Sequence, residues 1–267
     1  MIPTGCKALD DLFGGYIPGV INEYYGSSGT CKTTLATYVP IAKVFQHHLE
    51  TKGKLDENHM FVVVDGDGGF DQLRARQIWT KMGLKADVVE SHIKYYEPTT
   101  FDEQHDLLKT LPDILIDQEI TPLLITFDPM VALYRGEVLR AHPKYKMSQI
   151  GTLTGKLDLQ LAKLRHLAVK HNIPITISSW PGSEIGEKMG GSAPESPMIG
   201  GRAFSFVPKV IVELIGGNEM KMYSPRTVRK ARLFKHRTMP ADRETLFEVW
   251  DGGVKDFKEK ESKSKKK

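Results

Sequence analysis

A chain of 267 residues, 40% hydrophobic and 26% charged, is long enough for one large core or two small ones and has the composition of an ordinary folded domain. Two cysteines, Cys6 and Cys31, exclude a disulfide framework and a cysteine-rich zinc site, and no apolar run reaches the roughly 18 residues of a membrane span. The net charge of +4 resides at the carboxyl end, where the stretch from Lys255 holds seven lysines against three acids; the remainder balances thirty basic with thirty acidic residues, which excludes a strongly basic domain.

The opening "MIPTGCKALDD" has neither a basic n-region nor an apolar h-region, so a cytoplasmic location is expected and no membrane partner. From there, short β-branched runs alternate with longer helical patterns, which predicts an α/β fold with a mostly parallel central sheet flanked by helices. The first strand is expected at 19–26, "GVINEYYG", followed by a helix from Lys32 to about Leu49 with Pro40 as a kink. Strands at 60–66, 92–97, 123–128 and 174–180 follow, with helices from Asp71 to Met82, from near Thr100, and from Ser148 to Lys170. In the last of these, Leu153, Leu157, Leu161, Leu164 and Ala168 recur along one face. "KVIVELIG", "VRKARLFKH" and "TLFEVWDGG" follow without intervening helices and predict an antiparallel extension of the sheet. The segments 134–148 and 181–201 read as long loops, and residues 255–267 as a disordered lysine-rich tail behind a single domain of 1–254.

"GSSGTCKTTL", residues 26–35, comes within one residue of a phosphate-binding loop: Gly26, Lys32 and Thr33 are in place, and Cys31 stands where glycine is usual. A strand before it and a helix after it would let backbone N–H groups wrap an anion at the positive end of the helix dipole. Lys32 would then meet the β- and γ-phosphates and Thr33 would ligate Mg2+; a chance loop would leave Lys32 a surface lysine. If Cys31 needs a positive φ, the cost is about 1–2 kcal/mol. Asp128 ends "LLITFD" and can orient hydrated Mg2+, although a strand-end aspartate alone is also a common turn residue. Asp67, in "VVVDGDGGFD", can activate water, or simply belong to a Gly/Asp turn.

In this order, "IPTGCKALDDLFGG", the phosphate loop, "VVVDGDGGF", "LLITFDPMVALYRG", "MIGGRAFSFVPKVIVEL" and "KARLFKHRTMPADRETLFEVWDGGV" resemble the ATPase core of the RecA/RadA recombinases, above all the short RadB-like paralogues. The resemblance spans Ile2 to about Val254. It implies an ATP- and Mg2+-binding, slowly hydrolysing protein of DNA recombination or repair that binds single-stranded DNA and forms a homo-oligomer or pairs with a recombinase partner. ATP would be held by Gly26, Ser27, Ser28, Gly29, Thr30, Cys31, Lys32, Thr33 and Thr34, with Arg74 packing on adenine. Thr33 and Asp128 would hold the metal, and Asp67 with Lys32 would act in catalysis. The two long segments match DNA-facing loops, which assigns DNA contacts to Arg135, Arg140, Lys144, Lys146, Lys188 and Arg202. Lys235 and Arg237 match a segment that reaches the neighbouring subunit's nucleotide. The sequence departs from the family at Cys31, at Asp67 in place of glutamate, and at Trp180 in place of a glutamine that senses the terminal phosphate. The family's amino-terminal DNA-binding domain and polymerisation linker have no counterpart in these motifs. Together the departures imply slow hydrolysis and weakened coupling. The alternatives are a KaiC-like regulatory ATPase, or a nucleotide-dependent scaffold, without DNA binding.

Overall fold

Apolar residues that alternate along short runs here face two separate cores, one on each side of a single sheet. In the second strand, Phe61 and Val63 point into one cluster while Val62 and Val64 point into the other. The computed structural model describes residues 1–182, 198–216 and 227–258. Among them the strands are β1 (Ile21–Tyr25), β2 (His59–Asp65), β3 (Ile93–Tyr96), β4 (Thr121–Asp128), β5 (Ile175–Ser179), β6 (Val210–Ile215), β7 (Val228–Lys235), β8 (Glu244–Trp250) and β9 (Gly253–Asp256). Their order is β3-β2-β4-β5-β1-β6-β7-β8-β9. Pairing is parallel from β3 to β6 and antiparallel from β6 to β9.

The fold is the expected α/β sheet with an antiparallel extension, though the reversal comes one strand later than the sequence suggests. "KVIVELIG" forms β6 and pairs parallel with β1, Asn22 opposite Val210. The chain also does not leave the fold at Val254. β9 runs to Asp256, whose carboxylate accepts the Ala8 N–H at 2.7 Å and the Cys6 thiol at 3.4 Å. Lys255 and Asp256 therefore belong to the domain and not to a tail; residues 259–267 lie outside those described.

One sheet face is covered by α1 (Lys7–Phe13), α2 (Val39–Lys52), α3 (Gln72–Lys81) and the short α4 (Ala86–Ser91). The other is covered by α5 (Phe101–Asp117), α6 (Ala132–Arg140), α7 (Lys146–His171) and α8 (Arg202–Phe206). Thr100 opens α5 with a capping box that includes Glu103. Leu157, Leu161, Leu164 and Ala168 form the buried stripe of α7, with Leu153 packed at its edge. The segment 134–148 is not a loop. Tyr134 and Val138, four residues apart, bury one face of α6, and Pro143–Tyr145 forms a 3-10 turn that leads into α7.

The expected kink at Pro40 takes another form. The chain leaves the phosphate loop in a single π-helical stretch, Thr34–Tyr38, and becomes α-helical at Val39. In an α-helix the Ala36 carbonyl would accept from residue 40, but a proline has no N–H and its ring crowds that oxygen. The Ala36 oxygen instead accepts the hydroxyls of Thr126 on β4, at 2.8 Å, and Thr176 on β5, at 2.5 Å.

Candidate functional site

Because β1, β2, β4 and β5 run parallel, their carboxyl ends open on one edge, where ligands bind in sheets of this kind. A cavity of about 520 Å³ lies there. It is lined by Ser28, Gly29, Cys31, Lys32, Thr33, Thr34, Asp67, Gly69, Arg74, Asp128, Pro129, Arg135, Trp180, Arg229 and Val249. The structure thus gathers around one space most of the nucleotide residues expected from sequence.

The loop between β1 and the π stretch is shaped by its backbone. A side chain at Gly26 would meet the Leu214 carbonyl oxygen at 2.2 Å, so only glycine fits against β6. Cys31 has φ 83°, the left-handed conformation its place in the loop demands of any residue there. Burial pushes its thiol up to about 11, so it is neutral at physiological pH and adds no negative charge beside Lys32. Lys32 Nζ donates to the carbonyls of Gly26, at 2.8 Å, and Ser27, at 2.7 Å. Thr30 Oγ1 donates to the Ser27 carbonyl at 2.9 Å.

Asp128 ends β4 and lines the cavity, accepts a hydrogen bond from the Ser178 hydroxyl, and is hydrogen-bonded to Thr33. Burial raises its pKa against the opposing pull of those two hydroxyls and of Lys32. A carboxylate and a hydroxyl held together beside a lysine form an oxygen-donor pair suited to a hard divalent cation.

Of the two aspartates at the end of β2 and just beyond it, Asp65 closes the strand and is fully engaged in building the turn. Its carboxylate accepts N–H groups of Asp67 (3.2 Å), Gly69 (3.1 Å) and Phe70 (2.8 Å), and the Tyr95 hydroxyl (2.9 Å). Asp67 is left facing the cavity. Its pKa is raised to about 6, first by burial and then by the charges of Asp128 and Asp65. At neutral pH it is an ionised base whose basicity exceeds that of an ordinary aspartate.

Arg74, on α3, donates to the carbonyls of Trp250 (2.7 Å) and Asp251 (3.2 Å) and lines the cavity together with Val249. Arg135 and Trp180 line the cavity too, with the guanidinium 5.3 Å from the centre of the indole ring. Arg229 reaches from β7 to the Gly29 carbonyl at 3.2 Å. Sequence reasoning missed Arg229 and the turn-building role of Asp65. Two hundred residues separate Arg229 from the loop, but the end of "MFVVVD" could have marked Asp65 as the residue closing the strand.

The residues expected at DNA divide differently. Arg140 and Lys144 are exposed, with Arg140 paired to Glu137 at 3.1 Å, and Lys146 is half-buried at the start of α7. Arg202 is exposed at the start of α8; Lys188 lies outside the described residues. Neither expected inter-subunit residue lines the cavity. Lys235 Nζ donates to the carbonyls of Ser205 (2.7 Å) and Phe206 (3.0 Å) at the end of α8, while Arg237 is exposed just past β7.

The Rad51 family profile matches residues 1–257. A DNA repair and recombination protein RadB from Methanosphaera stadtmanae is 29% identical over 255 residues, 95% of this chain and 95% of the relative. The RadB of Thermococcus kodakarensis is 32% identical over 178 residues, 66% of this chain and 69% of the relative. Among solved structures, a crystal structure of the RadB recombinase superimposes with a TM-score of 0.67 at 25% identity, over 97% of this chain and 100% of that one.

Proposed function

The chain belongs to the Rad51 family, and from that premise we propose that it binds Mg-ATP in the cavity at the β1 loop and hydrolyses it slowly. It is a RadB-like DNA repair and recombination protein of an ATPase family. One observation supports the site above the others: Lys32, Thr33 and the Asp128 carboxylate converge at the mouth of a strand–loop–helix cradle.

The N–H groups of the loop from Gly26 to Thr34 orient the phosphates, and the Lys32 ammonium leaves its two carbonyl partners for the β- and γ-phosphates. Thr33 and Asp128 would hold magnesium, which would supply charge neutralisation for the transferred phosphoryl group. Asp67 accepts the proton of the attacking water at its carboxylate, as its raised basicity favours. It is one methylene short of a glutamate, and Trp180, whose indole accepts no hydrogen bond, gives that water no second acceptor for its protons; both slow the step. Arg74, which also lines the cavity, supports the adenine.

Single-stranded DNA is the partner we assign, met through Arg140, Lys144, Lys146 and Arg202, with the chain acting as a homo-oligomer or beside a recombinase. Arg237 is the better placed of the two residues for a neighbouring subunit, since the Lys235 amine is taken up by α8. Relatives that match nearly the whole chain carry DNA repair names, which favours this reading over a regulatory ATPase or a scaffold. The test is Mg-ATP binding and phosphate release with and without single-stranded DNA. Lys32→Ala should weaken ATP binding by at least about tenfold, as the loss of a charge-assisted contact dictates. Unchanged affinity in that variant would remove the site from the loop.

A further inference from the structure

Arg135 stands in the first turn of α6, just after β4, and Trp180 immediately follows β5; both therefore rise from the edge that carries Lys32, Thr33, Asp67 and Asp128, and all six line the same cavity. The indole donates one hydrogen bond and accepts none, so it cannot accept a hydrogen bond from an attacking water. Its ring face does attract cations, and the Arg135 guanidinium lies over it at 5.3 Å. This chain thus places an arginine in the cavity that Lys32, Thr33, Asp67 and Asp128 also line, over the ring of an aromatic residue.

We propose that Arg135 is a nucleotide-contacting residue that binds the terminal phosphate of a nucleoside triphosphate, with the Trp180 ring as the platform that presents it. The planar guanidinium fork matches two oxygens of one phosphate. A charge-assisted bond to phosphate is stronger than a cation–π contact, so a triphosphate competes with the ring for the Arg135 guanidinium. A diphosphate lacks the group nearest Asp67 and Asp128 and leaves Arg135 where it is. The contact therefore discriminates the two nucleotides. This rests on the Mg-ATP reading of the cavity and takes Arg135 out of the set that meets DNA.

The test is equilibrium binding of Mg-ADP and of the non-hydrolysable triphosphate analogue Mg-AMP-PNP by the full chain. Arg135→Ala should lose about tenfold in affinity for the triphosphate and less than about twofold for the diphosphate, with Arg135→Lys, which keeps the charge but not the fork, in between. Trp180→Phe retains an aromatic platform and should keep the discrimination. Trp180 emission, taken as the difference from Trp180→Phe, should change on adding Mg-AMP-PNP and not Mg-ADP, and that change should vanish in Arg135→Ala. Without nucleotide, Arg135→Ala should bind single-stranded DNA as the parent does. Equal weakening for both nucleotides, no weakening for either, or a loss of nucleotide-free DNA binding would overturn the assignment. If Lys32→Ala loses both nucleotides while Arg135→Ala and Arg135→Lys keep both, only the role of Arg135 falls. If the parent chain binds neither nucleotide, the Mg-ATP reading falls and this proposal with it.

Discussion

Glu23 sits in β1 two residues before the strand ends, wholly enclosed, with Oε1 accepting the Ser179 hydroxyl at 2.6 Å and Oε2 without a partner. Burial raises its pKa to about 8, against the lesser pull of Ser179 and Lys235. The folded state thus holds a proton that the unfolded chain gives up near the ordinary glutamate value of about 4.3. Between those two pKa values the unfolded state binds fewer protons, so this residue's contribution to stability falls as pH rises from near 4.5 and levels off above about 8. Glu23→Gln removes that dependence. Relative to the parent it should gain stability steadily from pH 5 to pH 8, by a few kcal/mol in order of magnitude, in denaturant titrations at each pH. A difference that stays constant across that range would mean that Glu23 is ionised in the folded protein. None of this is legible in "INEYY", where a glutamate in a strand reads as an outward-facing residue; burial on both faces of β1 comes from the sheet order alone.

The stretch from Thr34 to Lys52 shows how an element departs from its sequence pattern for a stateable reason. Pro40 denies the Ala36 carbonyl its α-helical donor, and Thr126 and Thr176 supply two hydroxyls from the strands beneath. Thr126 also shares a hydrogen bond with the Thr37 hydroxyl at 2.9 Å. Replacing both strand threonines by valine removes both hydroxyl donors to this carbonyl, at a cost of about 1–3 kcal/mol in denaturant unfolding. With Pro40→Ala added, the restored N–H can satisfy that oxygen and the cost should shrink; an equal cost in both backgrounds would show that the proline is not the cause. Helix legibility divides on the same physical grounds. α7 announces itself by five apolar residues at helical spacing, whereas α6 buries only Tyr134 and Val138 among mixed charges and a glycine, too few to reveal a period. The reading of 134–148 as a loop fails there, and Arg135, expected at DNA, lines the cavity.

At the scale of the whole molecule, alternating strands and helices made the parallel sheet and the edge that carries the cavity legible, because Asp128 ends β4, Asp67 follows the end of β2 by two positions and the loop from Gly26 follows β1 directly. Long-range returns were not legible: Arg229 meets the loop only because β7 follows β6 back across the sheet. β9 matters in the same way for separating the sources of DNA affinity. Arg140 and Lys144 are exposed beside Leu139, Tyr145 and Met147, and the Lys144 ammonium lies 5.3 Å from the Tyr145 ring centre. Cations interleaved with apolar and aromatic side chains suit phosphates and stacked bases of a single strand. The five lysines within 259–267 could give the same salt-sensitive binding without any such surface. A cut after Val254 would remove half of β9 and the Asp256 contacts to Cys6 and Ala8, so it would confuse unfolding with loss of charge. The informative cut follows Lys258. That truncated chain should keep measurable binding to single-stranded DNA, falling steeply with salt. Arg140→Ala with Lys144→Ala in the full chain should weaken binding by roughly tenfold and flatten the logarithmic salt slope by about 1.4, two phosphate contacts at about 0.7 each on a single strand. If the truncated chain binds no DNA while the double variant matches the parent in affinity and slope, the charged tail carries the binding and the surface of α6 and its following turn does not.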